Sequence, residues 1–335
     1  MTAVRAAVDV SVIAPMHNEE GSVREFVERV DDALAATERS YEIIVVSDGS
    51  TDATESLLRS CSSERPRLRA VMLSRNVGQS AALDAGIRTS SGAAIVVMDG
   101  DLQNRPEDVP RLLDELDKGF DLVSGTRVGR SESYMLKLLP SRIANWLLRA
   151  VTGCPVRDMG GFKAIRGDLA RSLRISRGQH RLLPAQVWLR GGSISEIPTE
   201  FPPRTSGRSH YGIARSLDVF FDILLLWFQA SAGSRPFHLL ARAAMALFAV
   251  DAVVMPILLW EKFAHGVDMG TRPPFLVAIM FFLAGLFVLA AGFILEILAG
   301  VSESVREARG WQIREIVSQD PGDVRSRQGA SSIDA

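Results

Sequence analysis

Asp99 and Asp101 stand two positions apart at the end of a short apolar run, Ala94 to Met98. Hard oxygen donors at that spacing suit a divalent cation such as Mg2+ or Mn2+, above all when a substrate diphosphate completes the coordination shell. On extended backbone, side chains two residues apart point the same way, so one ion can bridge the pair. The same pair also suits a polar strand-to-helix turn in which an aspartate caps the following helix. What the rest of the chain brings to this place decides between the two.

The run before Asp99 is apolar throughout and too short for a helix, the pattern of a strand buried on both faces of a parallel sheet. Similar runs occur at Val10 to Pro15, Ile43 to Val46, Leu68 to Leu73 and Asp121 to Ser124. Helical periodicity separates them, clearest in Val23, Phe26, Val27, Val30 and Leu34. Ala81, Ala82, Ala85 and Gly86 make a helix small enough to pack closely on a sheet. Strand and helix alternate about every 30 residues, which predicts an α/β fold with a doubly wound, mostly parallel sheet. Polar clusters follow each of the first four strands: His17 to Glu20, Ser47 to Asp52, Ser74 to Gly78, and Asp99 to Gln103. Ligands in such sheets bind beyond the carboxyl ends of the strands, so these clusters are expected to share one site. No G-x-G-x-x-G follows the first strand and no G-x-x-x-x-G-K occurs, which disfavours dinucleotide cofactors and P-loop chemistry.

A net charge of −1 over 335 residues gives no field for nucleic acid. The two cysteines, Cys61 and Cys154, are too far apart in sequence for a zinc motif and suggest no disulfide framework. Arg5 and Asp9 argue against a signal peptide.

Ile13-Ala14-Pro15-Met16-His17-Asn18-Glu19-Glu20, Val46-Ser47-Asp48-Gly49-Ser50-Thr51-Asp52, Leu73-Ser74-Arg75-Asn76-Val77-Gly78 and Asp99-Gly100-Asp101-Leu102-Gln103-Asn104-Arg105-Pro106-Glu107 resemble the successive signatures of family-2 inverting glycosyltransferases. Within that family, the chain is most similar to polyprenyl-phosphate glycosyltransferases of the dolichol-phosphate mannosyltransferase type. The resemblance implies a GT-A-like fold. It also implies that Pro15, Asn18, Glu19, Asp48, Asn76, Asp99 and Gly100 line the nucleotide-sugar site. Asp99, Asp101 and Gln103 are then expected to hold Mg2+ or Mn2+ with the diphosphate. Ser47 stands where many relatives carry a second acid.

The acceptor half carries further matches. Arg127, Lys137 and Ser141 lie in a basic segment, either a solvated amphipathic helix or a phosphate cradle; the resemblance implies the cradle. Asp158-Met159-Gly160-Gly161-Phe162-Lys163 resembles the D-x-x-G-F-(K/R) element over the donor sugar, where Asp158 positions a sugar hydroxyl or the acceptor. Gln179 to Ala185 is similar to an H-R-F-L-P-A element found in part of the family. Arg204-Thr205-Ser206-Gly207-Arg208-Ser209-His210-Tyr211-Gly212 resembles an R-x-x-G-x-S-K-Y loop, with His210 in place of lysine. Arg204 and Arg208 are expected to face the leaving diphosphate, with Arg204 and Ser209 also near the acceptor phosphate.

The last third is membrane-like. Leu217 to Trp227 is apolar, interrupted by Asp218 and Asp222, and reads as an interfacial helix. Phe237 to Trp260 is long enough to span, with Asp251 inside it. Phe275 to Leu295 is 21 residues without a charge. Arginines flank both spans, which predicts cytoplasmic termini. The expected organisation is a transferase domain at 1–216, a juxtamembrane helix at 217–234, two spans at 235–300, and a cytoplasmic tail at 301–335 with a disordered end.

These readings converge on an inner-membrane hexosyltransferase, assembled as a homo-oligomer, that moves sugar from a nucleotide diphosphate sugar, UDP-glucose-like or GDP-mannose, to polyprenyl phosphate. The competing readings are transfer to another lipid, a processive polysaccharide synthase, and an inactive membrane scaffold. A processive synthase calls for a Q-x-x-R-W element and more spans; Trp188 lies too far from Gln179 to supply the former.

Overall fold

Side-chain alternation along the first strands sets the layers. In β1 (Val10–Met16), Val10, Val12, Ala14 and Met16 enter one apolar cluster while Ile13 enters the other. In β2 (Tyr41–Ser47), Ile43 and Val45 oppose Ile44 and Val46 in the same way. The pattern repeats in β3 (Leu68–Leu73) and β4 (Ala94–Val97). A sheet apolar on both faces must be covered on both. Helix α1 (Val23–Ala35) covers the first face with Val23, Phe26, Val27, Val30 and Leu34, all fully buried. Helix α2 (Thr54–Glu64) adds Leu58 and Cys61 to that face. Helix α3 (Gln79–Thr89) covers the other, and Gly86 lets it approach so closely that a side chain there would strike Ile13.

The computed structural model describes residues 8–128, 149, 152–156, 160–173, 175, 178–200, 236–266, 268, 273–304 and 311–319. The expected interfacial helix at 217–234 lies outside them. The described chain continues through α4 (Val109–Leu116), β5 (Leu122–Val128), β6 (Lys163–Arg166), α5 (Gly167–Ser172), α6 (Leu183–Leu189) and β7 (Ile194–Glu200). After two long helices, α7 (Pro236–His265) and α8 (Pro273–Ser304), comes a last strand, β8 (Ile313–Val317).

Eight described strands form one sheet in the order β7-β5-β6-β4-β1-β2-β3-β8. β1 pairs in parallel with β2 and β4, β2 with β3, and β5 with β7. β6 is antiparallel to β4 and β5, and β8 is antiparallel to β3. Chain order runs outward from β1 to β3 on one side and resumes with β4 on the other. The switch therefore lies between β1 and β4, where a crevice opens at the strand ends.

β8 carries the chain back into the sheet. Its backbone pairs Ala70 with Val317 and Val71 with Ile316. Trp311, Ile313 and Ile316 pack on the α3 side, and Val317 on the α1 side. Trp311 Nε1 donates to Asp84 Oδ2 at 2.8 Å, Arg59 to Glu315 at 2.8 Å, and Arg314 to Glu55. The tail reading of residues 301–335 assigned no strand here.

The helix pair is a unit of its own, covering 224–308. Helix α7 has 30 residues, about 45 Å at 1.5 Å per residue, and α8 has 32. Both exceed the ~30 Å of a bilayer's hydrocarbon core. Their seam repeats every seven residues: Ala244, Asp251 and Leu258 are buried on α7, and Ala278, Gly285 and Gly292 on α8. That repeat is the signature of two helices crossing at a shallow angle. The outer faces expose Val253, Trp260, Phe263, Met280 and Phe287.

Candidate active site

The first polar cluster leaves the end of β1. Asn18 adopts φ +55°, and its Oδ1 accepts from Thr51 N at 2.8 Å. Asn18 N donates to Ser50 Oγ at 3.2 Å, and Glu19 N to Thr54 Oγ1 at 2.9 Å. These bonds stitch the loop after β1 to the loop after β2. Pro15 sits in register with Val46 of β2. Ser22 Oγ donates to Gly100 O at 2.9 Å, which ties the same loop to the turn after β4.

The second cluster holds the third. Asp48 is buried, and its two carboxylate oxygens accept from Val77 N and Gly78 N at 2.8 Å each. The resemblance casts Asp48 as a base or ribose contact; in the structure its carboxylate braces the loop before α3. Gly49, at φ +60°, lies against the backbone of Arg75 and Asn76, where no side chain fits. His17 Nδ1 lies 2.8 Å from the Asp48 carbonyl, which can only accept, so Nδ1 carries the proton. Nε2 is then an acceptor and takes the Asn76 amide at 3.0 Å. His17 was quoted in the first motif but given no role; here it joins the loops after β1, β2 and β3.

The fourth cluster is the aspartate pair. β4 ends at Val97, and Leu102 adopts φ +59°, so residues 99–102 form a turn rather than the extended segment expected. Strand alternation therefore does not govern where the two carboxylates point. Asp99 is half-buried, and its Oδ1 accepts from Gln79 Nε2 at 2.7 Å. Asp101 Oδ1 accepts from Gln103 N at 3.1 Å, closing an Asx-type turn. Beyond it Arg29 of α1 grips Glu107 with two bonds of 2.9 Å, and this guanidinium holds the Glu107 carboxyl below its ordinary value of 4.5.

A second turn backs Asp99. Gly161 approaches so closely that a Cβ there would lie 2.6 Å from Asp99 Oδ2. No residue with a side chain can take position 161 unless that carboxylate moves. Lys163, fully buried at the start of β6, donates to Gly160 O and closes the turn. Sequence reasoning saw Gly161 and Lys163 only as motif letters and missed Gln79. Ser80, next to Gln79, lies 2.9 Å from His180 Nδ1, so His180 is a packing partner of α3.

Pro15, Asn18, Glu19, Asp48, Asn76, Asp99, Gly100, Asp101 and Gln103 thus stand at or just past the carboxyl ends of β1 to β4. Arg127 lies on β5, in register with Thr199 of β7. Lys137, Ser141, Asp158, Arg204, Arg208 and Ser209 lie outside the described residues. Among the described residues no group of three or more His, Cys, Asp or Glu could enclose a metal. Two carboxylates on one turn leave most of a coordination shell open. That donor set fits Mg2+ or Mn2+ completing its shell with a diphosphate and water. Cys61 and Cys154 are buried, and burial pushes both thiols up, away from nucleophilic chemistry.

The sequence pattern of glycosyl transferase family 2 matches residues 11–170. The dodecaprenyl-phosphate galacturonate synthase of Rhizobium johnstonii is 36% identical over 300 residues, 88% of each chain. An undecaprenyl-phosphate 4-deoxy-4-formamido-L-arabinose transferase of Pseudomonas fluorescens is 30% identical over 316 residues, 93% of this chain and 91% of the relative. Among solved structures, glucosyl-3-phosphoglycerate synthase from Mycobacterium tuberculosis, in complex with Mn2+, UDP-glucose and phosphoglyceric acid, matches with a TM-score of 0.53 at 25% identity. The match covers 68% of this chain and 82% of that one. With four strand-end clusters at one sheet edge and relatives along most of its length, the chain belongs to glycosyl transferase family 2, in the polyprenyl-phosphate glycosyltransferase branch.

Proposed function

We propose that this protein transfers a sugar from a UDP-linked donor to polyprenyl phosphate with inversion, and that the donor sugar is a uronic acid. The observation that carries the transfer is the meeting of four strand-end loops around Asp99, which accepts from Gln79 and has Gly161 packed beside it. UDP is favoured by the solved relative bound to UDP-glucose, and the uronic acid by the 36% identity to a galacturonate synthase. This reading departs from the UDP-glucose-like or GDP-mannose donors expected from the sequence.

The division of labour follows from the chemistry. Asn18, Glu19, Asp48, Asn76 and His17 shape the loops that receive the nucleotide. Asp99, Asp101 and Gln103 hold a divalent cation, which when bound neutralises charge on the departing diphosphate. Arg204 and Arg208 add fixed positive charge to that leaving group. Arg127, Lys137, Ser141 and Ser209 receive the acceptor phosphate, and Asp158 orients a hydroxyl of the sugar. A phosphate monoester has a second pKa near 6, so the acceptor is largely a dianion at neutral pH. It needs alignment between cations more than a general base. One displacement inverts the anomeric carbon.

The same proposal places the transferase domain and both flanks of the helix pair on the cytoplasmic side of the inner membrane. The support is chain connectivity: the chain leaves the sheet domain, forms two apolar helices and returns to the same sheet as β8. An even number of crossings is what such a path requires. Homo-oligomeric assembly belongs to the same proposal, on the strength of the resemblance alone.

The test is a donor panel in membranes with polyprenyl phosphate: UDP-galacturonate, UDP-glucuronate, UDP-glucose, UDP-galactose and GDP-mannose. A UDP-uronate is expected to give lipid-linked product at least about 10-fold faster than its neutral counterpart, the scale on which one unpaired polar group discriminates. Equal or faster transfer from UDP-glucose or GDP-mannose contradicts the uronate assignment.

A further inference from the structure

We propose that Gln79 is the positioning residue of the metal-binding carboxylate: it fixes the rotamer of Asp99 and couples that carboxylate to the nucleotide loop. The inference rests on the reading of Asp99 as a metal ligand and deepens it.

Gln79 is the first residue of α3, and its Nε2 lies 2.7 Å from Asp99 Oδ1. Gly161 leaves the space beside the carboxylate open: a Cβ there would lie 2.6 Å from Oδ2 and 3.1 Å from Oδ1. The Gln79 amide thus holds Oδ1, while the glycine at 161 keeps any side chain away from both oxygens. A charge-assisted hydrogen bond from a neutral amide suits this task, because it orients the carboxylate without neutralising it.

The position of Gln79 is itself set by the nucleotide side. Val77 N and Gly78 N, the two residues before it, both donate to the Asp48 carboxylate. Gly78 adopts φ +95°, which turns the chain from that anchor into α3. The Asp48 carbonyl accepts from His17, and His17 accepts from Asn76. Hydrogen bonds therefore run from the loops after β1 to β3 through residues 77–79 to Asp99. Outer-shell partners of this kind typically change metal affinity or activity about 10- to 100-fold when removed.

The test uses full-length protein in lipid nanodiscs and two variants. Gln79→Met keeps the shape and loses the donor. Gln79→Asn keeps the amide and falls one methylene short. Mn2+ binding is measured in the presence of UDP from the free-ion electron paramagnetic resonance signal, alongside kcat, KM for the donor and the thermal midpoint. Both variants are expected to bind Mn2+ at least about 10-fold more weakly and to lose kcat by a similar factor. Donor KM and the thermal midpoint should stay near wild type. A purely structural role for Gln79 would lower the midpoint and leave Mn2+ binding alone, which overturns the proposal. So do variants that match wild type in Mn2+ binding and kcat, while the wild type still requires Mn2+. A wild type that binds no Mn2+ overturns the metal reading of Asp99 itself, and this proposal with it.

Discussion

Replacing Asp99 with alanine is expected to lower sugar transfer roughly 10^3-fold, on the order of 4 kcal/mol of transition-state stabilisation, with the protein still folded and in the membrane. The size follows from the proposed task. A departing nucleoside diphosphate gathers negative charge as the glycosidic bond breaks, and few groups at this sheet edge can meet it. The described residues offer two carboxylates, Asp99 and Asp101, as hard ligands for a cation. Losing one of the two carboxylates leaves an ion held mainly by substrate. The fold should survive because Asp99 is half-buried and accepts from an exposed side chain, Gln79. No fully buried partner of that bond is left without water. Activity against polyprenyl phosphate and the thermal midpoint, measured on the same preparation, check both halves. Asp99→Ala with more than about a tenth of wild-type activity, or with a collapsed midpoint, contradicts this account.

The second large effect is on stability. Removing residues 311–335, and with them β8, is expected to cost about 3–6 kcal/mol, taking half of the ~1.5–3 kcal/mol of full burial for each of four partly buried apolar side chains. Those side chains are Trp311, Ile313, Ile316 and Val317. The truncation also bares the edge of β3, whose free N–H and C=O groups then invite pairing with other chains. For a domain of this size the midpoint should fall by roughly 10 °C, with aggregation on heating. The ion pairs contribute little of this. Glu315 is 44% exposed, so Arg59→Ala should stay within about 1 kcal/mol. That pair also has a pH signature. Its hydrogen bond to Arg59 holds the Glu315 carboxyl below the ordinary value of 4.5, so its contribution is complete above that value and fades as the pH falls through the lower folded value. A truncated protein with an unchanged midpoint would show that β8 is a passive edge.

The contrast between β1 and β8 explains what the sequence could reveal. β1 to β4 are runs apolar on both faces, and each ends at a cluster of polar, turn-forming residues, so fold and site edge were legible together. The helix pair was legible by length and composition alone. β8 has two charges in five residues and follows a membrane span; only its distant partner β3 makes it a strand. β5 extends past Ser124 to Val128 because Gly125 to Val128 pair with β7, a long-range contact that overrides local turn character. At the site, Asp99 and Asp101 were visible by residue type and spacing. Gln79 was not, because an amide at a helix start has many uses and only the fold sets it beside Asp99. Asp48 was visible, but its anchoring of Val77 and Gly78 was not, since a carboxylate that anchors a loop reads the same in sequence as one that contacts a ligand.

The acceptor is the most direct test of the central claim. Purified full-length protein would be given a UDP-uronate with either polyprenyl phosphate or the dephosphorylated polyprenol, and the lipid products would be weighed by mass spectrometry. The account predicts one uronate residue added to polyprenyl phosphate, none added to polyprenol, and at most a trace of lipid product with Asp99→Ala. Sugar attached to polyprenol, or donor cleavage with no sugar on either lipid, would contradict it.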